Sequence, residues 1–204
     1  MTVRLGISVE GASEREFVRR VLAPHLAGRG VLAVPVDMRG RISLDRLRPL
    51  LPRLLGSFDV VSTLYDFYGF ERRPTSDVTA LETAIASLVG EPQRGRLLPY
   101  VQQYEFEALL FAVPEQTASW LEAPIHVAAD MHQVVRQCGG PEEINDSPQT
   151  SPSHRLLQWM PRYRKPLHGP QIIELVGLPI IRAQCPRFDA WVTRLEQLGQ
   201  DPIA

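Results

Sequence analysis

Short β-branched runs alternate with helical patterns along the first half of this chain, and that alternation admits few folds. Val3 to Val9 reads as a strand, and Val31 to Val36 as a second. Phe58 to Tyr65 is almost wholly apolar or β-branched, as a strand buried on both faces should be, and it stops at Asp66. Arg96 to Tyr104 completes the set. Ser13 with Glu16 three residues on reads as a capping box before Phe17, Val18, Val21 and Leu22. Pro24 should kink or shorten that helix. Ser43 can cap a second helix, which Pro49 and Pro52 should break into pieces, and Thr75 or Ser76 can open a third. Strands alternating with helices predict an α/β fold: a mostly parallel, four-stranded sheet with helices on both faces. Pro35 places the second strand at or near a sheet edge.

From about Glu105 the pattern changes to short helical pieces separated by proline-rich connectors. They read as Glu105–Phe111, Gln116–Leu121, Ile125–Gln137, His154–Met160, Pro170–Val176 and Pro186–Leu198. The expected division is an α/β core over 1–112 and a helical extension over 113–204 that packs on it without folding independently. Cys138 and Cys185 match no disulfide framework and no zinc spacing, so reduced thiols are expected, with Cys185 buried at the start of the last helix. Neither a signal peptide nor a long apolar span is visible, so the expected location is the cytoplasm, away from membrane.

In an open parallel sheet, ligands bind beyond the carboxyl ends of the strands. Glu10, Asp66 and Glu105 fall at three such ends, and Glu14 lies one helical turn past Glu10. Carboxylates on one rim suit a hard cation such as Mg²⁺, which takes oxygen ligands and keeps room for water and phosphate. Without a metal they should repel one another and raise at least one pKa. Glu14 and Glu105 equally fit helix N-termini, where negative charge is favoured.

The net charge of −1 gives no global field for a polyanion, so such a site must be local. Between Ser147 and Ile173 there is no Asp or Glu, while His154, Arg155, Arg162, Arg164, Lys165 and His168 all fall there. Lys165 is the sole lysine; every other basic residue is Arg, as codon bias in a GC-rich genome would produce. The window can cradle a phosphate backbone, with Trp159, Tyr163 and His168 able to stack on bases. It can equally be a solvated face or a partner for the acidic rim. Ser153 reads as the N-cap of the helix near His154, and Asn145-Asp146-Ser147-Pro148 as a turn.

The turn Val9-Glu10-Gly11-Ala12-Ser13-Glu14 resembles the Glu-Gly-x-Thr-Glu motif of TOPRIM-like proteins, with Ser13 for the usual Thr. Thr63 to Gly69 resembles their acidic turn after the third strand. Further segments resemble a family of unknown function, number 4276, grouped with TOPRIM-like folds. They are Pro99–Gln102, Glu105–Phe111, Glu142–Pro148, Ser151–Arg155, Tyr163–Gly169 and Cys185–Phe188. Gly11, Gly69, Glu107, Asn145, Asp146 and Ser153 fall at motif positions of this resemblance. The resemblance implies a TOPRIM-like (Rossmann-like) fold and an Mg²⁺- or Mn²⁺-dependent phosphoesterase, most plausibly a nuclease. In that reading Glu10, Glu14, Asp66 and Glu105 hold metal, and Glu10, Asp66 and Lys165 serve catalysis. Arg155, Arg164, Lys165 and His168 would bind phosphate.

The resemblance also implies a setting in prokaryotic mobile-element defence, nucleic acid as a partner, and a separate ATPase, since no Gly-x-x-x-x-Gly-Lys-Ser/Thr loop is present here. Where TOPRIM domains carry Asp-x-Asp, this chain reads Asp66-Phe67-Tyr68. Glu14 or the Glu105/Glu107 pair stand as replacements for the missing carboxylate. A degenerate module that binds a protein or nucleic acid, and an unrelated small-molecule phosphotransfer enzyme, remain the alternatives.

Overall fold

The computed structural model describes residues 2–144 and 147–200. In the first half β1 (Val3–Val9) is followed by α1 (Ala12–Phe17), a π turn (Val18–Leu22) and α2 (Ala23–Ala27). Then come β2 (Val31–Asp37), α3 (Leu44–Ser57), β3 (Val60–Asp66), α4 (Val78–Ala86), α5 (Glu91–Arg94), β4 (Leu97–Leu98) and β5 (Val101–Gln102). The strands lie in the order β2-β1-β3-β4, with β5 continuing beside β3, and every pairing is parallel. β2 is therefore the edge that Pro35 requires.

The expected fourth strand is split into β4 and β5 because Pro99 has no N–H for the ladder. Thr63 bridges the gap from β3: its Oγ1 accepts from the Tyr100 N–H at 2.9 Å and donates to the Tyr100 carbonyl at 2.8 Å.

Alternation along the strands divides the core in two. Val60 and Leu64 join Leu5, Ile7 and Val9 on one face, while Val61 and Tyr65 face α3 and α4 on the other. On that second face Gly6 is needed, since a Cβ there would lie 2.5 Å from the Phe58 ring.

Four local expectations are revised. Pro49 and Pro52 sit inside an unbroken α3; the carbonyls they leave unbonded belong to the exposed Asp45 and Arg48, where water serves, and buried Leu47, Leu51, Leu54 and Leu55 hold the helix down. Pro24, expected to kink or shorten its helix, does not shorten it: the chain passes through the π turn just before it and continues as α2. The first helix starts at Ala12, not after Ser13: Glu14 reaches back to the Gly11 N–H at 3.1 Å. The third helix is capped by Asp77, whose side chain accepts from the Ala80 N–H.

The second half holds a 3₁₀ helix (Phe106–Ala112), α6 (Pro114–Trp120), α7 (His126–Cys138), 3₁₀ turns at Pro141–Glu143 and Pro148–Thr150, and α8 (Pro152–Trp159). α9 (Lys165–Val176), α10 (Leu178–Gln184) and α11 (Pro186–Gln197) complete it. The sequence pattern missed α10. A single hydrophobic cluster runs from β1 through Phe17 and Leu22 to Phe106, Ile172, Phe188 and Val192, so these helices cover the face of the sheet that α1 and α2 leave open. Trp191 stacks on Tyr100 at 4.5 Å, and its indole N–H donates to Ser62 Oγ at 2.9 Å. Cys138 and Cys185 are free thiols, and Cys185 is buried at the start of α11. No described helix is long and apolar enough to cross a membrane.

Candidate functional site

The parallel sheet brings the ends of β1, β3 and β5 to one rim, and the acidic residues follow those ends. Glu10 comes directly after β1, and its carboxylate fills the space a side chain at residue 69 would take: a Cβ on Gly69 would lie 2.1 Å from Glu10 Oε2. That Oε2 is buried and, among the described residues, has no hydrogen-bond partner. Asp66 ends β3, and its Oδ1 accepts from the Phe106 N–H at 2.8 Å. Glu105 precedes the 3₁₀ helix, and its Oε2 accepts from the Ser153 N–H at 2.9 Å. Glu107, 1% exposed, accepts from the Tyr163 hydroxyl at 3.2 Å and faces Lys165 Nζ at 3.5 Å.

These groups feel one another. Burial raises the Glu10 pKa, offset in part by the Asp66 backbone N–H and Lys165. Burial, with the charge of Glu10 adding to it, pushes Glu14 up to about 7. Asp66 rises well above the ordinary range through burial and the charges of Glu14, Glu107, Glu10 and Glu105. Glu107 is also pushed to about 7 by burial, against the pull of Lys165. Burial works to lower the Lys165 pKa, but Glu107, Glu105 and Asp66 outweigh it and raise it. One ammonium thus stands among five acids.

Among the described residues, no group of three or more His, Cys, Asp or Glu side chains is set to hold a metal ion. The backbone explains this in part. Glu14, Asp66 and Glu105 each have an oxygen tied to a different N–H, which spreads them along the rim. The donor chemistry still fits Mg²⁺, which is usually held by one or two carboxylates with waters and substrate phosphate completing its shell. Glu10 has a buried oxygen open for that role.

Of the basic window, only Lys165 reaches the acidic cluster. Arg155 Nε donates to the Thr150 carbonyl at 2.8 Å, and Arg162 pairs with Glu122 at 3.7 Å on the surface. Arg164 is exposed, while His168 Nδ1 accepts from the Arg164 backbone N–H at 3.1 Å at the start of α9. Tyr163 is buried with its hydroxyl on Glu107, which corrects the expectation that it could stack on bases. Trp159 packs instead against Phe111 at 6.2 Å. Ser151, not Ser153, caps α8, accepting from the His154 N–H, because Pro152 takes the first helical position. Asn145 and Asp146 lie outside the described residues. Sequence reasoning ranked Glu107 below the strand-end acids. Its signal was the apolar run around it, Phe106 to Phe111, which leaves a charged side chain no route to solvent.

The mostly parallel sheet with helices around it is a TOPRIM-like fold. Residues 9–196 match the domain of unknown function DUF4276, and the chain belongs to that family. The C-terminal region of the Burkholderia pseudomallei OLD protein superposes with a TM-score of 0.56 at 17% identity, covering 100% of both chains. The C-terminal region of the Xanthomonas campestris pv. campestris OLD protein gives 0.52 at 14% identity, over 97% of this chain and 94% of that one. At such identities the likeness concerns the fold alone. Comparison with curated proteins gave no match.

Proposed function

We propose that this protein is a TOPRIM-like phosphoesterase acting on nucleic acid, with Mg²⁺ or Mn²⁺ held by Glu10 and Asp66. The observation that carries the reading is the buried oxygen of Glu10, without a hydrogen-bond partner among the described residues, beside Asp66 in a cluster of five acids that shares one ammonium. A bound cation would neutralise those acids and polarise a phosphoryl oxygen.

The chain's own residues then divide the remaining work. Lys165, positioned by Glu107, offers its ammonium to charge developing on the phosphate. Arg164 is exposed to meet the neighbouring backbone, with Arg155 and His168 ordering the turns on either side. Glu14 and Glu105 shape the rim, and either can accept a proton or reach an ion through water. The fold's likeness to C-terminal regions of OLD proteins supports a module that works with another unit, for which a separate ATPase in mobile-element defence is the setting we propose.

The test is calorimetric titration of Mn²⁺ into the wild type, Glu10→Gln and Asp66→Asn, with cleavage of plasmid, single-stranded DNA and RNA followed in parallel. Each variant should lose at least tenfold in affinity and all cleavage. Unchanged metal affinity in both would sink the reading.

A second reading, a degenerate binding module, has one observation in its favour. The residue in place of the second Asp is Tyr68, which brings no carboxylate of its own to the rim and packs its ring on Tyr104 at 5.4 Å. Wild-type protein that binds a strand but leaves it intact with Mn²⁺ would select it.

A further inference from the structure

Beside the acidic rim lies a groove of about 820 Å³, within the size range of small-ligand sites. Phe67, Tyr68, Phe70 and Tyr104 supply its aromatic surfaces, and Arg72 and Arg73 its charge. Phe67 and Phe70 are buried anchors, but Tyr68 is 36% exposed. The Arg73 guanidinium lies 4.2 Å from the Phe67 ring centre and 5.4 Å from that of Tyr68, so the groove already receives one flat cation against an aromatic face.

Arg72 and Arg73 are exposed, and among the described residues neither pairs with a carboxylate. The rim is held in place. Arg72 (φ 50°) and Tyr104 (φ 66°) adopt left-handed conformations that residues other than glycine seldom take. The Tyr68 N–H donates to the Tyr104 carbonyl at 3.1 Å, and Arg73 Nη1 to the Phe67 carbonyl at 2.6 Å. Position links groove and acids: Tyr68 follows Asp66 by two residues, and Tyr104 directly precedes Glu105.

We propose that this groove binds an unpaired base of a single-stranded nucleic acid, stacked on Tyr68 and Tyr104, with Arg72 on its phosphate. The inference deepens the phosphodiester reading and rests on it for the bond to be cut. Aromatic faces beside two exposed arginines fit a base with its phosphate, because stacking needs no sequence and the charge tracks the backbone. A duplex hides its base faces inside the helix, so it can offer this groove only phosphate.

The test uses the full chain with EDTA present, so that binding is read apart from cleavage. Anisotropy of a labelled oligothymidylate of roughly 20 nucleotides is compared with oligouridylate and with a duplex of the same length. Either single strand should bind about tenfold or more tightly than the duplex. Tyr68→Ala should weaken binding about tenfold and Tyr68→Phe should retain it. Arg72→Gln, an exposed change that the fold tolerates, should reduce the salt slope by about 1.

Equal binding of duplex and single strand would overturn the proposal, as would an unchanged salt slope in Arg72→Gln or wild-type affinity in a folded Tyr68→Ala. A wild type that binds the strand without cutting it when Mn²⁺ is added counts against the phosphodiester reading and leaves the groove standing.

Discussion

Two clusters of acids in this molecule are built on opposite plans. Glu196 on α11 is met from three sides: Arg182 grips it with two nitrogens at 2.8 and 3.1 Å, His25 reaches it at 2.6 Å and Arg29 at 3.2 Å. Burial opposes its charge, yet Arg182 and His25 outweigh it and hold its pKa below the usual carboxylate range. At the strand ends Glu10, Glu14, Asp66, Glu105 and Glu107 share Lys165, and four of the five have raised pKa values. The first cluster joins α2, α10 and α11 as structure ordinarily does, by matching charges. The second carries a surplus that costs stability, and such a surplus persists at sites with another use.

The two should answer pH with opposite signs, which is the broadest way to break the contrast. A carboxyl whose folded pKa exceeds its unfolded value adds stability that is complete below the unfolded value and lost as pH rises through the folded one. For Glu14 and Glu107 that window runs from the ordinary glutamate value of 4.5 up past about 7. Glu196, held low, instead supplies stability that disappears as pH falls into the acid range. Melting in EDTA should therefore peak near pH 5 and drop by roughly 10 °C toward pH 8. In Glu14→Gln, which keeps an acceptor for the Gly11 N–H, the drop should shrink by about a third, with a higher Tm at pH 8. A flat profile, or a Glu14→Gln protein less stable at pH 8, would show that the rim is not under charge strain.

Arg182→Ala sharpens the other side. It takes from Glu196 its two-nitrogen partner, leaving His25 and Arg29, and removes the clasp on Asp189 and Thr193 as well. Because the cluster is partly solvated, a loss of about 2 kcal/mol is expected, or roughly 5 °C in Tm at neutral pH. A loss under about 1 °C would make the balanced cluster decorative.

Much of this was legible beforehand. β-branched runs alternating with helical patterns point to a parallel sheet, because each helix carries the chain back to start the next strand in the same direction, and a parallel sheet puts Glu10, Asp66 and Glu105 on one rim. What escaped was decided across long sequence distances. The destination of Lys165 depends on Glu107, in another element, and Tyr163 turns inward for the same reason. Pro49 and Pro52 read as breakers because sequence does not reveal that α3 leaves the affected carbonyls in water. The turn after β3 was legible as acidic, but its aromatic groove was not, since Tyr104 joins Tyr68 only through the pairing of β5 with β3.

The smallest expected effect on stability is the most discriminating for the acidic rim. Gly69→Ala adds one methyl group where Glu10 Oε2 now lies, 2.1 Å from the new carbon. The obstacle is the far end of a flexible side chain, so the carboxylate can swing aside and Tm should move by no more than about 2 °C. Gly6→Ala meets the Phe58 ring instead, 2.5 Å away and rooted beside β3, and should cost several degrees. If Glu10 holds the cation where it now stands, Gly69→Ala should lower Mn²⁺ affinity about tenfold, the size of a displaced ligand shell, with the fold intact. Calorimetry on the two glycine variants separates the outcomes. Affinity lost at Gly69 and kept at Gly6 ties function to the position of one carboxylate; affinity kept at both would mean that the surplus charge on this rim serves something other than a metal at Glu10.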